Sequence, residues 1–400
     1  MLSLLGFLRS PPHKWVYASF ALHFLIALEA LVIVPFSSAI TLNLGALPSQ
    51  TALLTSSYAI SAAASCLLFQ GSSNLGRETQ LLRVLLAGLT LMTLLSAFVT
   101  HFHVLLGLRV MTGFFAGALA VININYLLLL SSEKHKKRNA ALLMSAFPLA
   151  LAVGVPTLLV FASTESWRLG LQLLGGGFLV LTGYFFSSTV PLQSPPQHEH
   201  SELLNRPKRG LKLVYFAALL IFSAVLGTFV VSTQFPVLLI LNLKLSDQGL
   251  SLCYTFGGCG AFMMIQGYAR AKLNADAIGR LLVLLSIVMG ASVWVGFTTN
   301  NNFTAATAFV GFVISSSVRS LILSTELITG LPAQARQKLI SLQGALQHFA
   351  IGVGGGIAGI LVEAQQDLSL DFSRLVAFAP AIIAVTPLLW WWRTRLNTKH

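Results

Sequence analysis

The sequence predicts an all-α membrane protein of twelve transmembrane helices in two pseudo-symmetric six-helix bundles, with both termini in the cytoplasm. Three observations carry that expectation: too little charge for a soluble globule, apolar stretches of membrane-spanning length along the whole chain, and an internal repeat. Of 400 residues, 55% are hydrophobic and only 9% charged, against about 25% charged in soluble domains. Apolar stretches recur from Trp15 almost to the C-terminus, and a helix of about 20 such residues crosses a hydrocarbon core of ~30 Å.

The spans are expected at 15–40, 51–70, 81–100, 104–130, 140–162 and 169–190, then at 212–234, 249–268, 280–299, 304–330, 338–362 and 375–392. The first is longer than a signal-peptide core and no cleavage site follows, so it is read as a retained helix. Between the two sets, residues 191–211 contain Pro195-Pro196, His198-Glu199-His200 and Arg206-Pro207-Lys208-Arg209. That polar, proline-broken stretch reads as a solvated linker joining an N-terminal bundle (1–190) to a C-terminal one (212–400).

Orientation follows from the basic residues. The net charge of +13 raises the question of nucleic acid, but its distribution answers it. Of the 25 Lys and Arg, only Arg168, Lys244 and Arg374 fall in one set of alternate loops, while Arg109 and Arg319 lie inside spans; the others sit in the termini, the linker and the opposite loops. This is the positive-inside pattern, with termini and linker cytoplasmic, and not a basic binding face. Trp390-Trp391-Trp392 before Arg393 marks the inner end of the last span. The repeat supports two halves: Tyr58 through Gly71 matches Tyr254 through Gly267 at an offset of 196, and Arg138, Gly154 and Pro156 align with Arg336, Gly352 and Gly354 at 198.

Several segments together carry a family resemblance. Leu105-Leu-Gly-Leu-Arg109-Val-Met-Thr-Gly113-Phe-Phe-Ala-Gly117 resembles the fourth-helix motif of the major facilitator superfamily, an Arg followed by glycines at helical spacing. Phe147 through Gly154-Val155-Pro156, with Trp167-Arg168, is similar to the fifth helix and loop of its drug:proton antiporter and arabinose-efflux branch. Ser317-Val-Arg319 through Thr329-Gly330, then Arg336 and Gln343-Gly-Ala-Leu-Gln347, resembles the tenth and eleventh helices of that branch. The resemblance implies the major facilitator fold, parallel six-helix repeats about an axis along the membrane normal. It also implies gating by the loop after the second span, where Gly76 and Arg77 are kept. Ser73 and Asn74 stand there in place of the usual Asp-Arg, which predicts a weaker latch on the outward-open state.

A charge at the bilayer centre costs at least ~2.5–3.5 kcal/mol unless paired or hydrated, so ionisable residues inside spans are informative. Glu29, Arg109, Arg319 and Glu326 fall on the first, fourth and tenth spans, which line the central cavity in the family resembled. They are expected to converge on one watery pocket. Burial favours a neutral carboxyl and a neighbouring guanidinium favours the carboxylate. Glu29 tuned by Arg109 therefore suits proton coupling; the alternative is a permanent ion pair holding two helices together. Arg319 is the candidate substrate contact. Asn123, Tyr58, Tyr254, Gln347 and His348 are candidate cavity polar groups, each also explicable by packing. Glu326, nearer the cytoplasm, suits a gating salt bridge.

No enzyme constellation stands out. Gly352-Val-Gly354-Gly-Gly356 lies in an apolar span and follows no strand, so it is no phosphate loop; Gly352 and Gly356 are spaced for helix packing. Cys66, Cys253 and Cys259 have no metal-ligand spacing, and no cofactor or metal is expected. The expectation is a monomeric multi-pass protein of the inner membrane, moving a small organic solute by alternating access. Proton-coupled efflux leads; import of a metabolite or siderophore-like chelate, and a non-transporting scaffold or sensor, are the alternatives. The expected partners are that small-molecule substrate, protons and the lipid bilayer, without nucleic acid.

Overall fold

The computed structural model describes residues 14–47, 50–69, 71–162, 166–188, 211–271, 273–329, 333–365 and 369–397. The expected linker, including His198-Glu199-His200, and both chain ends lie outside these residues apart from Leu211. The described chain is almost wholly helical. The N-terminal half holds α1 (Lys14–Asn43), α2 (Thr51–Leu68), α3 (Leu75–Ser96), α4 (Phe102–Leu130), α5 (Glu133–Met144), α6 (Ala146–Phe161) and α7 (Trp167–Ser187). The C-terminal half holds α8 (Leu211–Ser232), the short helix Phe235–Val237, α9 (Asp247–Arg270), α10 (Ala275–Thr298), α11 (Asn302–Thr329), α12 (Ala333–Leu361) and α13 (Ser373–Asn397). A ribbon of β1 (Glu363–Ala364) and β2 (Leu370–Asp371) links the last two helices.

Ten of the helices are long and apolar enough to cross a membrane. Two expected spans are not among them. The fifth is divided into α5 and α6, and residues Ala150–Gly154 of α6 are π-helical. Proline is the cause. Pro156 lacks the N–H that would reach the carbonyl of Ala152 and its ring crowds that carbonyl, so the chain widens by one residue per turn ahead of it. Val155 N–H accordingly bonds back to Ala150 O. The eighth corresponds to α9, which is long enough but diluted by glycine and polar residues and charged at both ends. The seventh outruns its expected end at 234: after a turn at Thr233-Gln234 and Pro236, it continues through a π-helical run, Leu238–Asn242.

Local signals end the helices where the sequence allows. Gly45, at φ 69°, closes α1, with Ala46 N–H returning to Thr41 O at 2.8 Å; that left-handed position suits a residue without Cβ. Asn74, Ser246 and Asn274 cap α3, α9 and α10 by accepting the backbone N–H three residues on. Arg83, expected only as a loop cation, donates to Phe185 O at 2.8 Å and Ser188 O at 2.9 Å and so closes the end of α7.

Small residues set the packing between helices. A Cβ on Gly113 would lie 2.1 Å from Tyr58 O, and one on Gly117 2.4 Å from Ala62 O, so α4 and α2 meet backbone to backbone. The halves meet along α2–α12 and α6–α9. In the glycine run of α12, Gly352 and Gly355 face Ile60 and Ser56 of α2, and Gly354 faces the α8 backbone at Val230. Gly356, expected as the second packing glycine, has open space around it. On the other side, Gly258 sits against the backbone of Ala152, and Ser251 Oγ donates to Pro156 O at 3.3 Å.

The largest apolar cluster crosses both halves where α1 and the seventh span end, including Phe36, Leu159, Val230, Phe235, Tyr254 and Phe309. Toward the start of α8, a separate cluster of Val214, Leu220, Leu282, Ile322 and Trp390 belongs to the C-terminal half alone. Glycine substitutions test this packing. Gly113→Ala is expected to cost about 1–3 kcal/mol of stability by overpacking and so to lower the thermal unfolding midpoint, while Gly356→Ala leaves it unchanged. Equal midpoints for the two variants would contradict the close approach of α2 and α4.

Candidate functional site

The first and fourth helices bring Glu29 and Arg109 together at the middle of the N-terminal half. Each is 1% exposed. Arg109 Nη1 donates to Glu29 Oε1 at 2.6 Å, and Nη2 reaches the Glu29 carbonyl at 3.4 Å. Thr93 of α3 donates to the other carboxylate oxygen at 3.2 Å. Two ions taken out of water lose several kcal/mol of hydration each, which only close pairing and hydrogen bonds offset. Both carboxylate oxygens are satisfied here, whereas Arg109 Nε has no partner among the described residues.

The guanidinium also lies over the ring of Tyr58 on α2, 4.4 Å from its centroid, a cation–π contact strengthened by burial. The Tyr58 ring also meets the ring of His348 on α12, with centroids 6.4 Å apart in a T-shaped arrangement. Glu29, Arg109, Tyr58 and His348 therefore form one chain of contacts from inside the N-terminal half to a side chain of the C-terminal half. Tyr58 Oη and His348 Nδ1 find no hydrogen-bond partner among the described residues.

Arg319 lies elsewhere. Fully buried among α8, α10 and α13, it donates to Ser286 Oγ and Ile383 O, each at 3.2 Å, and to Ala224 O at 3.0 Å. The acceptor on α13 has a cause in the sequence: Pro387 stands four residues beyond Ile383 and has no N–H to bond it. Among the described residues no carboxylate pairs with Arg319. No hydrogen bond or ion pair among the described residues joins Arg319 to Glu29 or Arg109: its hydrogen-bond partners are carbonyls of α8 and α13 and a serine of α10, all in its own half.

The other expected residues are dispersed. Asn123 donates to Ser19 O at 2.9 Å and so ties α4 to α1. Tyr254 packs edge-on to Phe309 with centroids 5.2 Å apart. Gln347, half-buried, neighbours His348 on α12. Glu326 accepts from Tyr268 Oη, and both line a cavity of about 400 Å³ between α9 and α11 with Ile265, Leu321 and Thr325; the charge of Arg393 on α13, in the same half, also acts on it. A second cavity of about 410 Å³, between α10 and α11, is lined mainly by apolar residues such as Val288, Val295 and Phe303.

Gly76 and Arg77 begin α3, where Asn74 Oδ1 accepts Arg77 N–H at 3.1 Å. Sequence reasoning passed over Glu78 beside them. Its carboxyl is fully buried beneath the loop and accepts Ser72 N–H at 2.7 Å through one oxygen. The loop that lacks an acid at Ser73 therefore holds one five residues later. Thr93 was also missed; an isolated Thr in an apolar helix carries no signal until the carboxylate it serves is located.

The family description Major Facilitator Superfamily matches residues 19–354. No curated protein sequence matches the chain. Solved structures similar to it include a D-xylose–proton symporter (TM-score 0.69, 12% identity, 94% of this chain and 96% of that one). Others are the nucleoside transporter NupG (0.67, 14%, 94% and 98%) and, inward-facing and occupied, a bacterial homolog of the human lysosomal transporter Spinster (0.67, 13%, 95% and 96%).

Removing one charge from the central pair tests its energetics. Arg109→Ala, which strands the carboxylate, is expected to cost about 3–5 kcal/mol in thermal stability, and Glu29→Gln combined with Arg109→Gln to recover most of it. A double variant no more stable than Arg109→Ala would contradict the pairing.

Proposed function

The chain belongs to the major facilitator superfamily, and on that premise we propose that it is a proton-coupled carrier exporting a small organic solute by alternating access. In this reading it spans the inner membrane twelve times as a monomer, with both termini and the 191–211 linker in the cytoplasm and bundles of residues 1–190 and 212–400 rocking about a midplane site. Within the family it sides with the drug:proton antiporter and arabinose-efflux branch, and neither a cofactor nor nucleic acid takes part.

One observation carries the reading: the Glu29–Arg109 pair is linked through Tyr58 to His348 of the other half. Motion of α12 against α2 changes the contact between His348 and Tyr58, and through it the surroundings of Arg109. When Arg109 moves, Glu29 loses its counter-ion in a dry site and is driven to take a proton; when the pair re-forms, that proton leaves. Glu29 is the proton-coupling acid and Arg109 its tuner. Tyr58, His348 and Gln347 face solute, and Tyr254 and Asn123 border its path. Arg319 meets it after its half moves, through the Nε that has no partner among the described residues.

With the basic loops placed in the cytoplasm, the apolar cluster passes from one half to the other at the outer end, around Phe36, Val230, Phe235 and Phe309, which supports an arrangement closed to the outside. Glu326 and the Gly76–Arg77 loop serve gating at the inner end. The scaffold reading rested on the loss of an acid at Ser73, and Glu78 weakens it by supplying a carboxylate to the same loop.

The test uses purified protein in proteoliposomes. Wild type is expected to acidify or alkalinise the lumen only when solute and protons exchange, and Glu29→Gln to retain solute exchange while losing proton movement. Proton-coupled accumulation undiminished in Glu29→Gln would remove Glu29 from the mechanism.

A further inference from the structure

Lys134-His135-Lys136-Lys137-Arg138 sets four cations and a histidine within five residues, and Glu133 is the one acid in the sequence from Ser131 to Met144. The structure folds this run into the first two turns of α5. The helix gains nothing from it, because cations near a helix N-terminus oppose the dipole. The charge is therefore explained by what lies outside α5.

Depth in the membrane is set by α4. Its 29 residues make a rod about 43 Å long, against ~30 Å of hydrocarbon and ~40–45 Å with the headgroup layers. Both ends of α4 thus reach headgroup level, and α5 begins at one of them. It is folded back on that end by Asn139, which donates to Ser131 Oγ at 2.8 Å, while Ser131 donates to Leu127 O at 2.7 Å. One turn beyond Asn139, Leu143 is fully buried with Val16 of α1 and Leu127 of α4, and Trp15 and Phe20 pack against them. Asn139 and Leu143 mark the side of α5 that faces the protein. Helical spacing puts positions 134 and 137 on the opposite side. Exposed Lys14 begins α1 next to Trp15, an aromatic of the kind that sits among headgroups.

We propose that the first two turns of α5, with Lys14, bind the headgroup of an anionic phospholipid. Each Lys or Arg near an anionic bilayer surface strengthens binding about fivefold. A lipid is favoured over free phosphate because the basic run lies at headgroup depth beside Trp15, where a lipid adds apolar contact to charge. Excess Lys and Arg in a loop also orients a chain in the membrane, but orientation requires no preference for one headgroup. α5 leads directly to α6, where the backbone of Ala152 packs on Gly258 of the other half. A headgroup held on α5 therefore bears on a helix at the contact between the halves. The proposal needs only that α4 crosses the membrane, and it stands apart from the transport reading.

The test follows the thermal unfolding midpoint of purified protein in neutral detergent, titrated with dioctanoyl phosphatidylglycerol, dioctanoyl phosphatidylcholine or inorganic phosphate. Phosphatidylglycerol is expected to raise the wild-type midpoint at concentrations at least about tenfold lower than phosphatidylcholine, with the advantage shrinking in about 0.5 M salt. Phosphate is expected to have no effect. Lys134→Gln combined with Lys137→Gln is expected to weaken the phosphatidylglycerol effect about 25-fold, and Arg at the same two positions to retain it. Arg270→Gln with Arg280→Gln removes as much charge from the other half and is expected to leave the effect intact. A wild type that does not distinguish the two lipids would overturn the proposal without recourse to any variant. Stabilisation by phosphate alone would show a free-anion site and overturn the lipid assignment. Equal losses in the α5 pair and the control pair would reduce the run to bulk charge, and an unchanged response in the α5 pair would place the lipid elsewhere; either result overturns the site.

Discussion

The cost of placing ions in a medium that cannot hydrate them organises this structure. Glu29 and Arg109 each neutralise the other, and the rest of the N-terminal half is arranged around their contact. Thr93 fills the second carboxylate oxygen, Tyr58 presents its π face to the guanidinium, and Gly113 lets α4 approach the backbone that carries Tyr58. The pair is therefore a structural tie as it stands. It becomes a coupling device only if the halves move, because Tyr58 is also the surface on which His348 of α12 rests. A tie and a switch differ here by motion, not by composition.

The C-terminal half solves the same problem by another route. Arg319 has no carboxylate among the described residues and is held by carbonyl dipoles and a serine hydroxyl. One of those carbonyls is free because Pro387 cannot bond it. The halves differ in their electrostatics: one holds a neutralised pair, the other a buried cation held by backbone carbonyls and a serine hydroxyl.

Most of the architecture was legible in the sequence because hydropathy in a membrane protein is a strong, one-dimensional signal. Span positions follow from apolar runs, and Glu29, Arg109 and Arg319 stood out as rare charges within them. The pairing of Glu29 with Arg109 was foreseeable from the family resemblance, while the partners of Arg319 were not, since span number does not give the direction a side chain takes. The break in the fifth span was written in Pro156, but a π-helical detour and a true end look alike in sequence. Neutral polar residues were the hardest to read. Thr93 is unremarkable until neighbouring helices are placed, and Glu78 was hidden by its position at a loop edge, where a charge is ordinary.

The central claim is that Glu29 exchanges a proton as its contact with Arg109 forms and breaks. Infrared difference spectroscopy of the carboxyl C=O stretch, followed against pH in membranes and compared with Glu29→Gln, addresses it most directly. The account predicts a protonated-carboxyl band that titrates in wild type, disappears in Glu29→Gln and shifts when Arg109 is replaced. A carboxylate signal from Glu29 that stays ionised at every pH where the protein remains folded would make the pair a permanent tie and contradict the account.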